Sequence, residues 1–145
     1  MGDDQKITLL APDDESRLAQ QRAVVEQYLG DEQSRANYQK AAGKLGLLRA
    51  LIEQRIFRPD QAYELQCMGI ILGDAFVREM GMEWIMVEDA HGRDPAVRMP
   101  ATSIIIFPLT MISKRIGKGE QVDVFHMFNS LADQIDQLKA QGRQS

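Results

Sequence analysis

The chain has 145 residues, 44% hydrophobic and 26% charged, with a net charge of -4 and a mean hydropathy of -0.30. Those values fit one soluble globular domain long enough to bury its own core, and they exclude a disordered or membrane-embedded polymer. Eight acids stand against four bases over residues 1 to 35 and the remainder balances, so no basic face for nucleic acid is expected.

The single cysteine, Cys67, rules out an intrachain disulfide and a cysteine-rich zinc site. The opening segment MGDDQKITLLAPDD lacks a basic stretch followed by an apolar run, and the longest apolar runs fall far short of the ~20 residues that span a bilayer. A cytoplasmic location without membrane contact is the expectation.

In chain order, residues 1–11 read as a loose arm with a small apolar patch at Ile7, Leu9 and Leu10. From Pro12 the spacing predicts a helix, with Asp13, Asp14 and Glu15 suiting its positive end, Leu18, Val25, Tyr28 and Leu29 as its stripe, and Gly30 as a left-handed stop. A second helix is expected from about Glu32 to Arg55, since Tyr38, Ala41, Leu45, Leu48 and Ile52 recur at steps of three and four. Gly43 and Gly46 within it lower helix propensity by ~1 kcal/mol each and suit close approach of a neighbour.

A third helix is expected from Pro59 to Met80, its stripe carried by Leu65, Met68, Leu72 and Phe76, with Gly81 closing it. Gly69 and Gly73, four residues apart, clear one face for tight packing. The pattern then alternates: Met82, Trp84 and Met86 interleave with Glu83, Ile85 and Val87 as a strand, and Ala90 to Arg93 make a turn. A second strand is expected at about Pro95–Met99, where Pro95 and Pro100 are confined to an edge or to the strand's own ends, and the run Ser103–Phe107 reads as a buried central strand. A short helix over Leu109–Ile116 and a last helix capped by Asp123 complete the chain.

The expected fold is therefore α+β. It comprises three N-terminal helices, a three-stranded antiparallel meander over about residues 82–107, a short helix, and a C-terminal helix packed on one face of the sheet. Residues 12–145 form a single domain in this reading, and 1–11 a flexible arm.

Leu72-Gly73-Asp74, Glu83-Trp84, Asp89-x-x-Gly92-Arg93-Asp94, Ala96-x-Arg98, Phe107-Pro108 and Met111-Ile112-Ser113-Lys114-Arg115 together resemble a bacterial family known as a domain of unknown function. The resemblance implies a small α+β domain and carries no activity over.

The chain lacks a G-x-S-x-G elbow and a paired-histidine metal spacing; His91 and His126 lie 35 residues apart, and Cys67 sits within an apolar helix. Gly117-Lys118-Gly119 lacks the Ser or Thr and the upstream glycine of a phosphate loop. No catalytic residue, metal site or cofactor is assigned. What survives is a charged rim on the sheet: Glu83, Trp84, Glu88, Asp89, Arg93, Arg98, Lys114 and Arg115. It reads either as an ion-pair network that orders the sheet edge or as a recognition patch.

The function expected is a non-enzymatic bacterial protein that captures a protein partner, most concretely an immunity- or antitoxin-like protein neutralising a toxin. The alternative is a small enzyme or ligand-binding domain with a pocket between the sheet and the third helix, lined by Trp84, Met86 and Arg98.

Overall fold

The computed structural model describes residues 5–144. The elements run β1 (Lys6–Leu9), α1 (Pro12–Glu26), α2 (Glu32–Tyr38), α3 (Ala41–Glu53), α4 (Ala62–Met80), β2 (Glu83–Asp89), β3 (Gly92–Arg98), β4 (Ile105–Ile106), a 3-10 turn (Pro108–Thr110), α5 (Met111–Gly117) and α6 (Val124–Gln144). The α+β class holds. The sheet, however, has four antiparallel strands in the order β1-β2-β3-β4 rather than three.

The additional strand lies in the segment expected to be a loose arm. Lys6, Ile7, Thr8 and Leu9 pair with Glu88, Val87, Met86 and Ile85, so β2 rather than Ser103–Phe107 occupies an interior position. The alternation of Ile7 and Leu9 with polar neighbours is a strand signal too short to stand without its partner. Residues 1–4 of the expected arm lie outside the described residues. The SIIIF run shrinks to a two-residue strand at the opposite edge, where Ile105 and Ile106 meet Arg98 and Val97. Pro95 is tolerated inside β3 because β4 reaches only Val97 and Arg98, which leaves the rest of that edge open.

The long second helix divides in two. Lys40 adopts an extended conformation (φ -100°, ψ 155°) and starts α3. A Cβ at Gly43 would collide with the Asn37 carbonyl, so glycine is what lets α2 end directly against α3. Four helices thus precede β2 instead of three. α2 begins with Asp31 accepting from the Ser34 N–H at 2.7 Å, and α6 with Asp123 accepting from His126 N–H at 3.0 Å. The left-handed stop expected at Gly30 is absent; α1 ends at Glu26 with Gln27 right-handed. Pro59 and Asp60 sit in a turn ahead of α4, which starts three residues later than the proline suggests.

α4 is the central helix. Leu65, Met68, Leu72 and Phe76 are buried along its stripe, each contributing ~1.5–3 kcal/mol by leaving water. Its small face does what the glycine spacing implies: a Cβ on Gly69 would strike the Pro108 and Leu109 backbone, and one on Gly73 the Trp84 indole. α1 and α3 pack beside α4, and α6 rests on α3 and α4 rather than on the sheet, with Phe76 and Phe128 at 4.4 Å between ring centres. Pro100 and Ala101 turn the chain between β3 and β4, with Thr102 N–H donating to the Met99 carbonyl at 3.2 Å and Ala101 left-handed at φ 62°.

Candidate functional site

Side chains directly opposite in an antiparallel pair share a face. Trp84, Met86 and Val97 face the helices, so Glu83, Ile85, Val87 and Asp89, with Arg98, Ala96 and Asp94 across from them, face the other way. Ile85, Val87 and Ala96 form an apolar cluster of their own with Ile105, separate from the main core. Ile7 and Leu9, opposite Val87 and Ile85, extend that cluster to the sheet edge and are 39% and 71% exposed.

Three members of the expected rim frame this outward face. Glu83 and Arg98 are cross-strand partners, and Glu83 Oε2 accepts from Arg98 Nη2 at 2.9 Å and Nε at 3.1 Å. Asp89 lies at the far end on the same side as Asp94, and its Oδ1 accepts from the His91 N–H at 2.8 Å, which fixes the turn into β3. The centre of the face, Ile85, Val87 and Ala96, is itself buried, so its open apolar surface is the edge at Ile7 and Leu9, and one neutralised ion pair and two further carboxylates lie on the same side.

The other rim residues go elsewhere. Trp84 is turned inward, its Nε1–H donating to Asp74 Oδ1 at 2.9 Å while its ring lies on Gly73, so the interface expected to hold a pocket beside α4 is filled by the indole. Arg93 points to α1 and grips Asp14 through both terminal nitrogens at 2.6 and 2.7 Å. Those bonds, helped by the Ala11 N–H, hold the Asp14 carboxyl well below the usual carboxylate range, and Asp14 in turn raises the Arg93 guanidinium. Glu88 is exposed on the helix side. Lys114 and Arg115 belong to α5, and among the described residues no ion pair joins them to the rim carboxylates.

Sequence reading missed a polar layer between the helices and the sheet. Arg22 of α1 donates to Asp74 of α4 through Nε at 2.6 Å and Nη2 at 2.8 Å, on the same carboxylate that receives Trp84. One turn on, Glu26 accepts from the Tyr38 hydroxyl at 2.7 Å, and Lys44 Nζ sits 3.9 Å from the centre of that ring. Burial first, then the Glu26 bond, pushes the Tyr38 phenol far up, while desolvation lowers Lys44. The available signal was the inward stripe of α1: Asp14, Leu18, Gln21 and Val25 are buried at helical spacing, and a polar residue on such a stripe implies a partner across the interface. Among the described residues no buried side-chain nitrogen or oxygen lacks a hydrogen-bond partner.

Cys67 is buried and its thiol is pushed up to about 11 by desolvation, which disfavours the nucleophilic thiolate. His126 Nε2 and Ser130 Oγ approach to 3.4 Å on the exposed side of α6, longer than a nucleophile and its base require. Among the described residues no group of three or more His, Cys, Asp or Glu side chains is placed to hold a metal ion, and no helix is long and apolar enough to cross a membrane.

Among the described residues these features define an α+β domain in which one side of an antiparallel sheet packs on α4 and the other carries a small apolar cluster with acidic borders. The chain belongs to the family described as "Domain of unknown function (DUF3806)", whose model matches residues 44–128. A solved structure from Bacteroides thetaiotaomicron VPI-5482 is similar in fold, with a TM-score of 0.70 and 17% identity over 90% of this chain and 48% of that one. The chain thus spans about half the length of that structure. No curated protein matches the chain in sequence.

Proposed function

We propose that this domain is a non-enzymatic bacterial binding protein that works in the cytosol and captures a protein partner on the outward face of its sheet, most concretely as an immunity- or antitoxin-like protein that neutralises a toxin. The observation that carries the reading is the pairing of Ile7 and Leu9 with Val87 and Ile85 on the side away from the helices, where Ile7 and Leu9 remain exposed at the edge of the buried Ile85, Val87 and Ala96, on the side that also carries Asp89 and Asp94. Apolar surface rimmed by charge is the composition of protein contacts. The border charge selects a partner with an apolar centre and a basic rim, as a toxin acting on nucleic acid would present. A second support is that Asp14, Arg22, Tyr38 and Arg93, whose ionisation is shifted, are all engaged with fixed internal partners and so serve architecture.

The test is co-expression with the product of the adjacent gene. The expected result is that this product is toxic alone, is tolerated with the wild-type chain, and forms a complex that weakens as salt rises. Leu9→Asp, at a largely exposed position that leaves the core untouched, is expected to abolish protection. A harmless neighbour, no complex at low salt, or a self-association through this face that Leu9→Asp dissolves would overturn the reading.

A further inference from the structure

The helices carry a second concave site that the outward sheet face does not involve. Between the end of α3, the start of α4 and the α5–α6 connection lies a cleft of about 620 Å³. Its floor is apolar, made by Leu51, Phe57, Leu65, Met68, Ile116 and Val122, and Arg55 and Arg58 stand in its lining. A volume of several hundred Å³ with an apolar floor and a few charged groups is the usual constitution of a small-molecule site.

The backbone at Arg55 marks the site independently. α3 ends in a Schellman motif: Arg55 N–H donates to the Ile52 carbonyl at 3.1 Å and Ile56 N–H to the Leu51 carbonyl at 3.1 Å, which requires residue 55 to be left-handed, at φ 53°. α5 ends in the same motif, with Gly119 N–H to the Ile116 carbonyl and Glu120 N–H to the Arg115 carbonyl, and there the left-handed residue is Gly119 at φ 75°. α4 likewise uses Gly81 at φ 68°. Glycine adopts this conformation without strain and arginine does not. Where two helices end on glycine and the third ends on a strained arginine beside an apolar cleft, the side chain is what the position retains.

The charge around the mouth is unevenly spent. Glu53 is held by Arg49 at 3.8 Å and Arg58 by Asp60 at 3.1 Å, whereas Arg55 has no ion-pair partner among the described residues. The carboxylate of Glu120, on the opposite wall, also lies among Lys114, Arg115 and Lys118 of the neighbouring surface, whose three cations outweigh it. Arg55 thus contributes an exposed cation, unpaired among the described residues, to the lining of a cleft with an apolar floor.

We infer that this cleft binds a small amphipathic carboxylate, with the aliphatic or aromatic body on the partly exposed Phe57, Ile116 and Val122 and the head on Arg55. A guanidinium takes a carboxylate through two parallel N–H donors, which a hydroxyl cannot match.

The probe is decanoate below its micelle concentration, titrated into the 15N-labelled full chain. Saturable shifts confined to residues 51–58, 65–68 and 116–122 are expected, with decan-1-ol binding at least tenfold more weakly. Arg55→Gly, which relieves the left-handed strain and so preserves or raises the melting temperature, is expected to weaken decanoate at least tenfold. Leu9→Asp is expected to leave decanoate binding unchanged, which separates this site from the sheet face. No saturable shift up to millimolar probe, equal binding of the alcohol, or undiminished binding by Arg55→Gly would overturn the assignment.

Discussion

Asp74 of α4 joins α1 through Arg22 and β2 through Trp84, and Asp74→Ala tests whether the polar layer holds the helices to the sheet. The carboxylate is only 13% exposed and receives three hydrogen bonds, two from Arg22 at 2.6 and 2.8 Å and one from Trp84 at 2.9 Å. Its removal leaves a guanidinium and an indole N–H without their acceptor. Stranding a buried polar group costs about 1–3 kcal/mol, and breaking a buried ion pair about 3–5 kcal/mol. Because the Arg22 side chain is 28% exposed, water recovers part of that loss. A destabilisation of about 3 kcal/mol follows, or a fall in melting temperature of about 10 °C for a chain of this size. Urea unfolding followed by fluorescence of Trp84, the sole tryptophan, measures it directly. Arg22→Met in the Asp74→Ala background is expected to recover stability, since it removes the stranded charge and keeps the apolar stem's volume. A loss below about 1 kcal/mol for Asp74→Ala, or purely additive effects of the two substitutions, would refute the reasoning.

Two further outcomes follow from the same geometry. The Arg93 grip depresses the Asp14 carboxyl below its ordinary value of 3.8, so the folded state resists protonation there; the stability this gives is intact above that value and drains as pH falls beneath it. Unfolding curves of wild type and Asp14→Asn should accordingly differ most near neutrality and converge toward pH 2, and a constant difference across that range would contradict the ion pair. Glycines inside helices should respond in opposite senses: Gly69→Ala drives a Cβ into the Pro108–Leu109 backbone and is expected to destabilise by about 1–3 kcal/mol, whereas Gly46→Ala meets nothing within 4 Å and is expected to stabilise by about 0.5–1 kcal/mol, both read by thermal melting.

Elements with a long period or a firm terminator were legible in the sequence. α4 showed its stripe over nineteen residues and its glycine stop, and the Trp84 strand its alternation, because many positions repeat the same signal. β1 and β4 were misjudged for the opposite reason. A strand of four residues or two takes its identity from its neighbour, and neither Lys6–Leu9 nor Ile105–Ile106 carries enough residues to declare a place in the sheet. The break at Lys40 left no proline or helix-stop pattern, since it depends on Gly43 meeting the Asn37 carbonyl, a tertiary contact. Of the rim, Glu83 with Arg98 was readable as a cross-strand pair, while Arg93 with Asp14 and Trp84 with Asp74 join residues on different elements and required the fold. Lys114 and Arg115 were placed on the rim by closeness in sequence, which the turn at Pro108 removes.

The first strand of the chain completes the sheet at a distance. About 80 residues separate Lys6–Leu9 from its partners on β2, and all four N-terminal helices lie in between, so this pairing closes the longest loop among the strand pairs of the sheet. Contacts of such separation form late and open early, and β1 is a four-residue edge with exposed apolar side chains to hold it. Amide exchange should be fastest in β1 among the strands that frame the outward face. Detachment of those few residues would uncover the edge of β2 and present a row of free backbone donors and acceptors beside Ile85 and Val87. The N-terminal strand is then both part of the proposed recognition face and the cover over an otherwise adhesive edge, and a partner that docks on Leu9 would latch that cover shut.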